Sequence, residues 1–144
     1  MLEEYTNKTL DQFNSIFEFG GGFGSASRIA RFAGFKGDYR ILDFPELHTL
    51  AKAYYNDEKV VRLENISQLG ANQYDLLVGL WSVTESNAIL RNKVMTSNFT
   101  NCIIAYSDSF EGLQNAGYFD NVKQRFGGAL ISIPWLAGNS YYIR

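Results

Sequence analysis

The 144-residue sequence is short of cysteine, histidine and proline, with one, one and two of them. A single cysteine, Cys102, excludes an intrachain disulfide framework. It lies in the apolar run Cys102-Ile-Ile-Ala105 and reads as a small buried hydrophobe. So few soft ligands leave no cluster with metal-ligand spacing, and no metal site is expected. Excess charge is also missing. Thirteen basic and fifteen acidic residues give a net charge of −2. That is no electrostatic footprint for nucleic acid or an anionic membrane, so a small molecule is the expected partner. No apolar run approaches the roughly 20 residues that span a bilayer. The opening Met-Leu-Glu-Glu-Tyr lacks the basic start and apolar core of a signal peptide, and a cytoplasmic location is the default. The glycosylation-like triplets at Asn7, Asn65 and Asn98 are then chance matches.

What is present is a hydrophobic fraction of 46%, enough for one domain with a real core. Residues 1–14 are polar and read as a short helical or irregular lead-in to a domain over 15–144. Ser15 to Phe19 predicts a strand running into glycines. Ser25 to Phe35 predicts a helix capped by Ser25, with Ile29, Ala30, Ala33 and Gly34 at helical spacing. Tyr39 to Phe44 predicts a second strand. The helix from Pro45 to Tyr55 carries Leu47, Leu50, Ala51 and Tyr54 on one face. Lys59 to Leu63 predicts a third strand.

Tyr74 to Leu80 is nearly continuous in apolar residues, which suits a central parallel strand. Glu85 to Thr96 predicts a helix and Asn101 to Tyr106 a strand. Asp108 to Phe126 predicts one or two helices broken near Gly117. Ala129 to Ile133 and Tyr141 to Ile143 predict a closing antiparallel hairpin across Gly138-Asn139. Alternating strands and helices give an α/β fold with a mostly parallel sheet and helices on both faces. Ligands in such sheets bind past the carboxyl ends of the strands.

There stands Glu18-Phe-Gly-Gly-Gly-Phe-Gly24, with Gly20, Gly21, Gly22 and Gly24 within five residues. Such glycines permit positive φ and close approach of a ligand, beside the free N–H groups of a helix start. The alternative is a plain tight turn. The dinucleotide fingerprint is met imperfectly, because Ser25 stands where its third glycine falls, and no Gly-Lys-Ser/Thr phosphate loop is present. Glu18 before the loop suits a ligand without phosphates, its carboxylate holding a cationic group directly or through water. Asp43 follows about twenty residues on, where a carboxylate accepts from ribose hydroxyls; its alternative is a cap on the helix after Pro45.

These stretches, with Leu42-Asp-Phe-Pro-Glu46 and Tyr74-Asp-Leu-Leu-Val-Gly-Leu-Trp-Ser-Val-Thr-Glu85, resemble class I S-adenosylmethionine-dependent methyltransferases. The chain is most similar to the sugar O-methyltransferases of bacterial polysaccharide clusters, also in its ending Ile133-Pro-Trp-Leu-Ala-Gly-Asn-Ser-Tyr-Tyr-Ile143. The resemblance covers residues 15–144. It implies a Rossmann-like doubly wound, mostly parallel seven-stranded sheet with an antiparallel C-terminal hairpin. It implies that Glu18, Gly20, Gly22 and Gly24 hold the methionine part of S-adenosylmethionine. Asp43 then binds the ribose, Phe44 lies beside the adenosine, and Glu64-Asn65-Ile66 flank the adenine. Gly79, Leu80 and Trp81 line the methyl-donor pocket, with ordinary packing as the alternative for Trp81.

A hydroxyl acceptor calls for a general base. Glu85, Asp108 and Tyr106 are the candidates, past the fourth and fifth strands. Helix-start roles are the alternative for Glu85 and Asp108. His48, early in the helix after the second strand, reads as a surface residue. The short lead-in implies either a fragment of a longer enzyme or a second copy that helps enclose the site. A nicotinamide-dependent oxidoreductase and a non-catalytic cofactor-binding domain are the competing functions.

Overall fold

The computed structural model describes residues 2–55 and 57–144. Its lead-in holds a short helix, α1 (Leu2–Thr6), and one 3-10 turn, Leu10–Gln12. This segment is tied down at its end. The Asp75 carboxylate accepts from the backbone N–H of Asn14 at 2.6 Å and of Ser15 at 3.2 Å, and Phe13 is buried.

The first half alternates β1 (Ser15–Phe19), α2 (Ser25–Phe32), β2 (Asp38–Leu42), α3 (Pro45–Tyr54) and β3 (Val60–Leu63). Next come β4 (Tyr74–Leu80), α4 (Ser82–Glu85), α5 (Ala88–Met95) and β5 (Phe99–Ser107). A small hairpin, β6 (Ser109–Phe110) and β7 (Leu113–Gln114), precedes α6 (Asn115–Phe126), β8 (Ala129–Ser132) and β9 (Asn139–Ile143). Seven strands form one sheet in the order β3-β2-β1-β4-β5-β9-β8. All pairings from β3 to β5 are parallel, and β9 runs antiparallel to both β5 and β8. The expected doubly wound sheet with a closing hairpin is therefore present.

Two cores flank the sheet. Phe35, Tyr39, Ile41, Leu76 and Val78 pack with Ala30 of α2 on one side. Phe17, Leu77, Cys102, Ile104 and Tyr142 pack with Val94 and Met95 of α5 and Phe119 and Val122 of α6 on the other. Cys102 is fully buried, in the role its neighbours suggested. Among the described residues no helix is long and apolar enough to cross a membrane.

The helical expectations are corrected in several places. Gly24, at φ +85°, occupies the N-cap of α2 and Ser25 is its first residue. The helix ends three residues early, and Gly34 follows at φ +94°. The inner faces of α2 and α3 are made by Ser27, Ala30, His48 and Ala51, while Ile29, Leu50 and Tyr54 are exposed. The helix expected from Glu85 to Thr96 is two helices. Asn87 starts a new one by accepting from the Leu90 N–H at 3.0 Å, and Glu85 ends α4. Residues 109–114 turn back as a hairpin through Glu111 at φ +46° and Gly112 at φ +82°, and α6 then runs unbroken through Gly117.

Candidate functional site

The chain steps from β1 outward to β2 and β3, then crosses back to β4 and β5 on the other side. The carboxyl ends of β1 and β4 thus form the switch point of the sheet, where ligands bind in this architecture. The glycine loop 20–24 sits there. Gly20, Gly22 and Gly24 all adopt positive φ, at +75°, +52° and +85°. Each glycine answers a different demand. A Cβ on Gly20 would collide with the Ser82 side chain, whose hydroxyl donates to the Phe19 carbonyl and ties α4 to the end of β1. A Cβ on Gly21 would stand 2.6 Å from Ile41 Cγ2 and 2.9 Å from Glu18 Oε2. A Cβ on Gly22 would meet nothing within 4 Å and would point into the open space above the loop.

Beneath the loop lies a row of side chains set by strand register. Glu18 pairs with Ile41, and Ile41 with Arg62, across β1, β2 and β3. Glu18 is 3% exposed, and Tyr39 Oη donates to its Oε2 at 2.9 Å. Burial pushes the Glu18 carboxyl up to about 7, and the nearby Asp43 charge adds to this; the Tyr39 hydrogen bond and the Arg62 charge pull the other way. Burial likewise raises the Tyr39 hydroxyl well above the usual phenol range, with the Glu18 charge as the next cause. Both Arg62 Nη atoms are buried without a partner among the described residues, and Nη2 lies 3.8 Å from a Cβ position on Gly24.

Asp43 joins the loop directly. Its Oδ2 accepts from the Gly22 N–H at 2.6 Å and its Oδ1 from the Phe44 N–H at 2.8 Å. Phe44 takes the N-cap position of α3 without a side-chain cap, so Asp43 spends its carboxylate on the loop. The Phe44 ring is exposed. His48 is 7% exposed, which corrects its expected surface role. It packs inward beside Arg62 and Asp43; burial, then the Arg62 charge, lowers its basicity.

The other expected residues are distributed along the same edge. Asn65 caps the 3-10 turn Ile66–Leu69, accepting from the Ser67 N–H at 2.9 Å. Gly79 is buried under α4, where a Cβ would approach Val83 Cγ2 to 2.5 Å, so packing accounts for this glycine. Leu80 is partly open and Trp81 half-buried, its Nε1–H donating to Asn139 Oδ1 at 2.8 Å. Asp108 follows β5, and its Oδ1 accepts from Ser140 Oγ at 3.1 Å. The Glu85 side chain is exposed and carries no hydrogen bond among the described residues. Tyr106 is buried against Phe119, with ring centroids 4.2 Å apart. No group of three or more His, Cys, Asp or Glu among the described residues could hold a metal ion.

Sequence reasoning missed Tyr39, Arg62, Ser82 and Asn139 as builders of this edge. A charged residue inside a short strand, Arg62 in β3, was the available signal. The others depend on contacts between strands that sequence spacing does not encode.

No protein-family model matches the chain, and no curated protein does. Solved structures do. An O-methyltransferase family protein from Burkholderia thailandensis superposes with a TM-score of 0.67 at 10% identity, over 93% of this chain and 51% of that one. This is the Rossmann-like fold of known methyltransferases. PigF, solved with SAH, gives 0.64 at 14% identity, over 95% and 51%. The 16S rRNA methylase ArmA gives 0.60 at 14% identity, over 93% and 74%. The chain thus spans about half the length of two of these proteins and about three quarters of the third.

Proposed function

We propose that the chain is an S-adenosylmethionine-dependent methyltransferase domain that transfers methyl to a hydroxyl of a sugar or another small molecule. The observation that carries this is the glycine loop at the switch point, open above Gly22 and tied to Asp43 at 2.6 Å. The residues fit such a cofactor. Gly20, Gly22 and Gly24 offer bare backbone to the methionine part, and Glu18 beneath, raised to about 7 by burial, would ionise to pair with its ammonium group. Asp43 keeps lone pairs for two ribose hydroxyls after accepting its two backbone bonds. Phe44 would lie beside the adenosine and Asn65 near the adenine, while Leu80 and Trp81 would bound the donor side with Gly79 supporting them from below. When bound, the sulfonium supplies an activated methyl group for in-line displacement, and alignment provides much of the acceleration.

Asp108 is the favoured base for the acceptor hydroxyl. Ser140 anchors one of its oxygens, and the other bears no hydrogen bond among the described residues. Glu85 is the second candidate. RNA is the alternative acceptor, since one similar structure is an rRNA methylase. A net charge of −2 favours a small acceptor, because each phosphate contact calls for a cation.

Calorimetry against S-adenosylhomocysteine and NAD tests the reading. Binding of the first and none of the second is expected. Tight NAD binding without S-adenosylhomocysteine binding would sink it in favour of an oxidoreductase. Cofactor binding with no methylation of sugars, small hydroxyl compounds or RNA would favour a binding domain without catalysis.

A further inference from the structure

Trp81 follows β4 as the N-cap of α4 at φ +66°, a backbone conformation that bulky residues rarely adopt. It is held there from three sides. Its N–H donates to the Ala105 carbonyl at 2.8 Å. Its carbonyl accepts from the Thr84 N–H at 3.0 Å and from Thr84 Oγ1 at 2.8 Å. Its indole N–H donates to Asn139 Oδ1 at 2.8 Å. That same oxygen accepts from Ser107 Oγ at 2.9 Å, and Asn139 Nδ2 donates to the Ala137 carbonyl at 3.1 Å.

Packing does not account for the indole, since Trp81 belongs to neither hydrophobic core. Strained residues held by their surroundings cluster at ligand clamps. Asn139 opens β9, which reaches the site only by pairing with β5, Ser107 opposite Asn139. The bond therefore spans from the closing hairpin across the end of β5 to the end of β4.

We propose that Asn139 is a positioning residue of the methyl-transfer pocket, fixing the Trp81 indole so that the C-terminal hairpin shapes one wall of that pocket. This rests on the cofactor reading above. Asn139 acts through Trp81 and touches no reacting atom.

Trp135 is the one other tryptophan and is exposed beyond β8, so Trp135→Phe leaves emission that reports Trp81 alone. In this parent, S-adenosylhomocysteine is expected to change the emission, and the indole N–H to exchange slowly with water. Adding Asn139→Ala should red-shift the free emission and weaken S-adenosylhomocysteine binding about tenfold, the loss of one well-made hydrogen bond and its orientation. Asn139→Asp keeps the oxygen acceptor and should restore both readouts. An alanine variant with parental affinity and emission overturns the proposal. So does rapid exchange of the Trp81 indole N–H in the parent, which needs no variant at position 139 to fold. A parent that binds no S-adenosylhomocysteine, with its indole N–H still protected, overturns the cofactor reading and removes this inference with it.

Discussion

Glu18 and Gly22 bear on the site in opposite ways, one from below the loop and one from above. Glu18 has a folded-state value of about 7 against an ordinary 4.5, raised by burial. The folded state therefore binds the proton more tightly than the unfolded state. The stability from this group is fully present below about pH 4.5 and is lost as pH rises through about 7, a change of about 3 kcal/mol. Glu18→Gln keeps an acceptor for Tyr39 and should flatten that slope, raising the melting temperature at pH 8 more than at pH 5. Equal effects at both pH values would show that Glu18 is not held protonated by burial. Gly22→Val fills the open space above the loop and should weaken S-adenosylhomocysteine binding at least about 100-fold. Its stability cost should be only about 1–2 kcal/mol, the penalty of a side chain at positive φ. Unchanged affinity in calorimetry would reduce the loop to a turn.

The parallel strands were legible in the sequence because burial on both faces leaves near-continuous apolar runs. Tyr74 to Leu80 was found with its observed ends. The loop and Asp43 were legible for a different reason, since glycine and a strand-ending carboxylate announce backbone demands directly. The helices were less legible. Periodicity gave α3 a face of Leu50 and Tyr54, but its buried face is made by His48 and Ala51 and leaves those two outside. Residues 109–114 resemble helix in sequence because Glu111 is no usual residue for the left-handed turn it makes.

Gly117 suggests a break by its residue type, yet it lies mid-helix in α6 with nothing within 4 Å of a Cβ. Gly117→Ala should therefore stabilise the protein by about 1 kcal/mol in chemical denaturation. A neutral or negative effect would restore the broken helix. Asn87→Ala removes the cap of α5 and should cost about 1 kcal/mol, whereas a continuous helix through residue 87 would gain from alanine.

At the scale of the molecule, the two halves of the sheet meet at β1 and β4, and their seam holds the candidate site. Ser82 crosses it from α4 to Phe19, and Asp43 reaches back from β2 to Gly22. A ligand seated there bonds to both halves and should stabilise the whole cooperative unit. With S-adenosylhomocysteine at 100 times its Kd, stability should rise by about 2.7 kcal/mol, roughly 8 °C in melting temperature. NAD at the same concentration should leave the melting temperature unchanged.

The same strand order places β3 and β8 at the two outer edges, each only four residues long. Gly127 and Gly128 at positive φ precede β8, and Pro134 follows soon after it. Short, interrupted edges offer little template for another chain's backbone. Aggregation by edge-to-edge strand addition is thereby discouraged. Exposed apolar side chains outside the sheet edges, Phe32, Tyr54, Ile89 and Trp135, are then where copies would first adhere at high concentration.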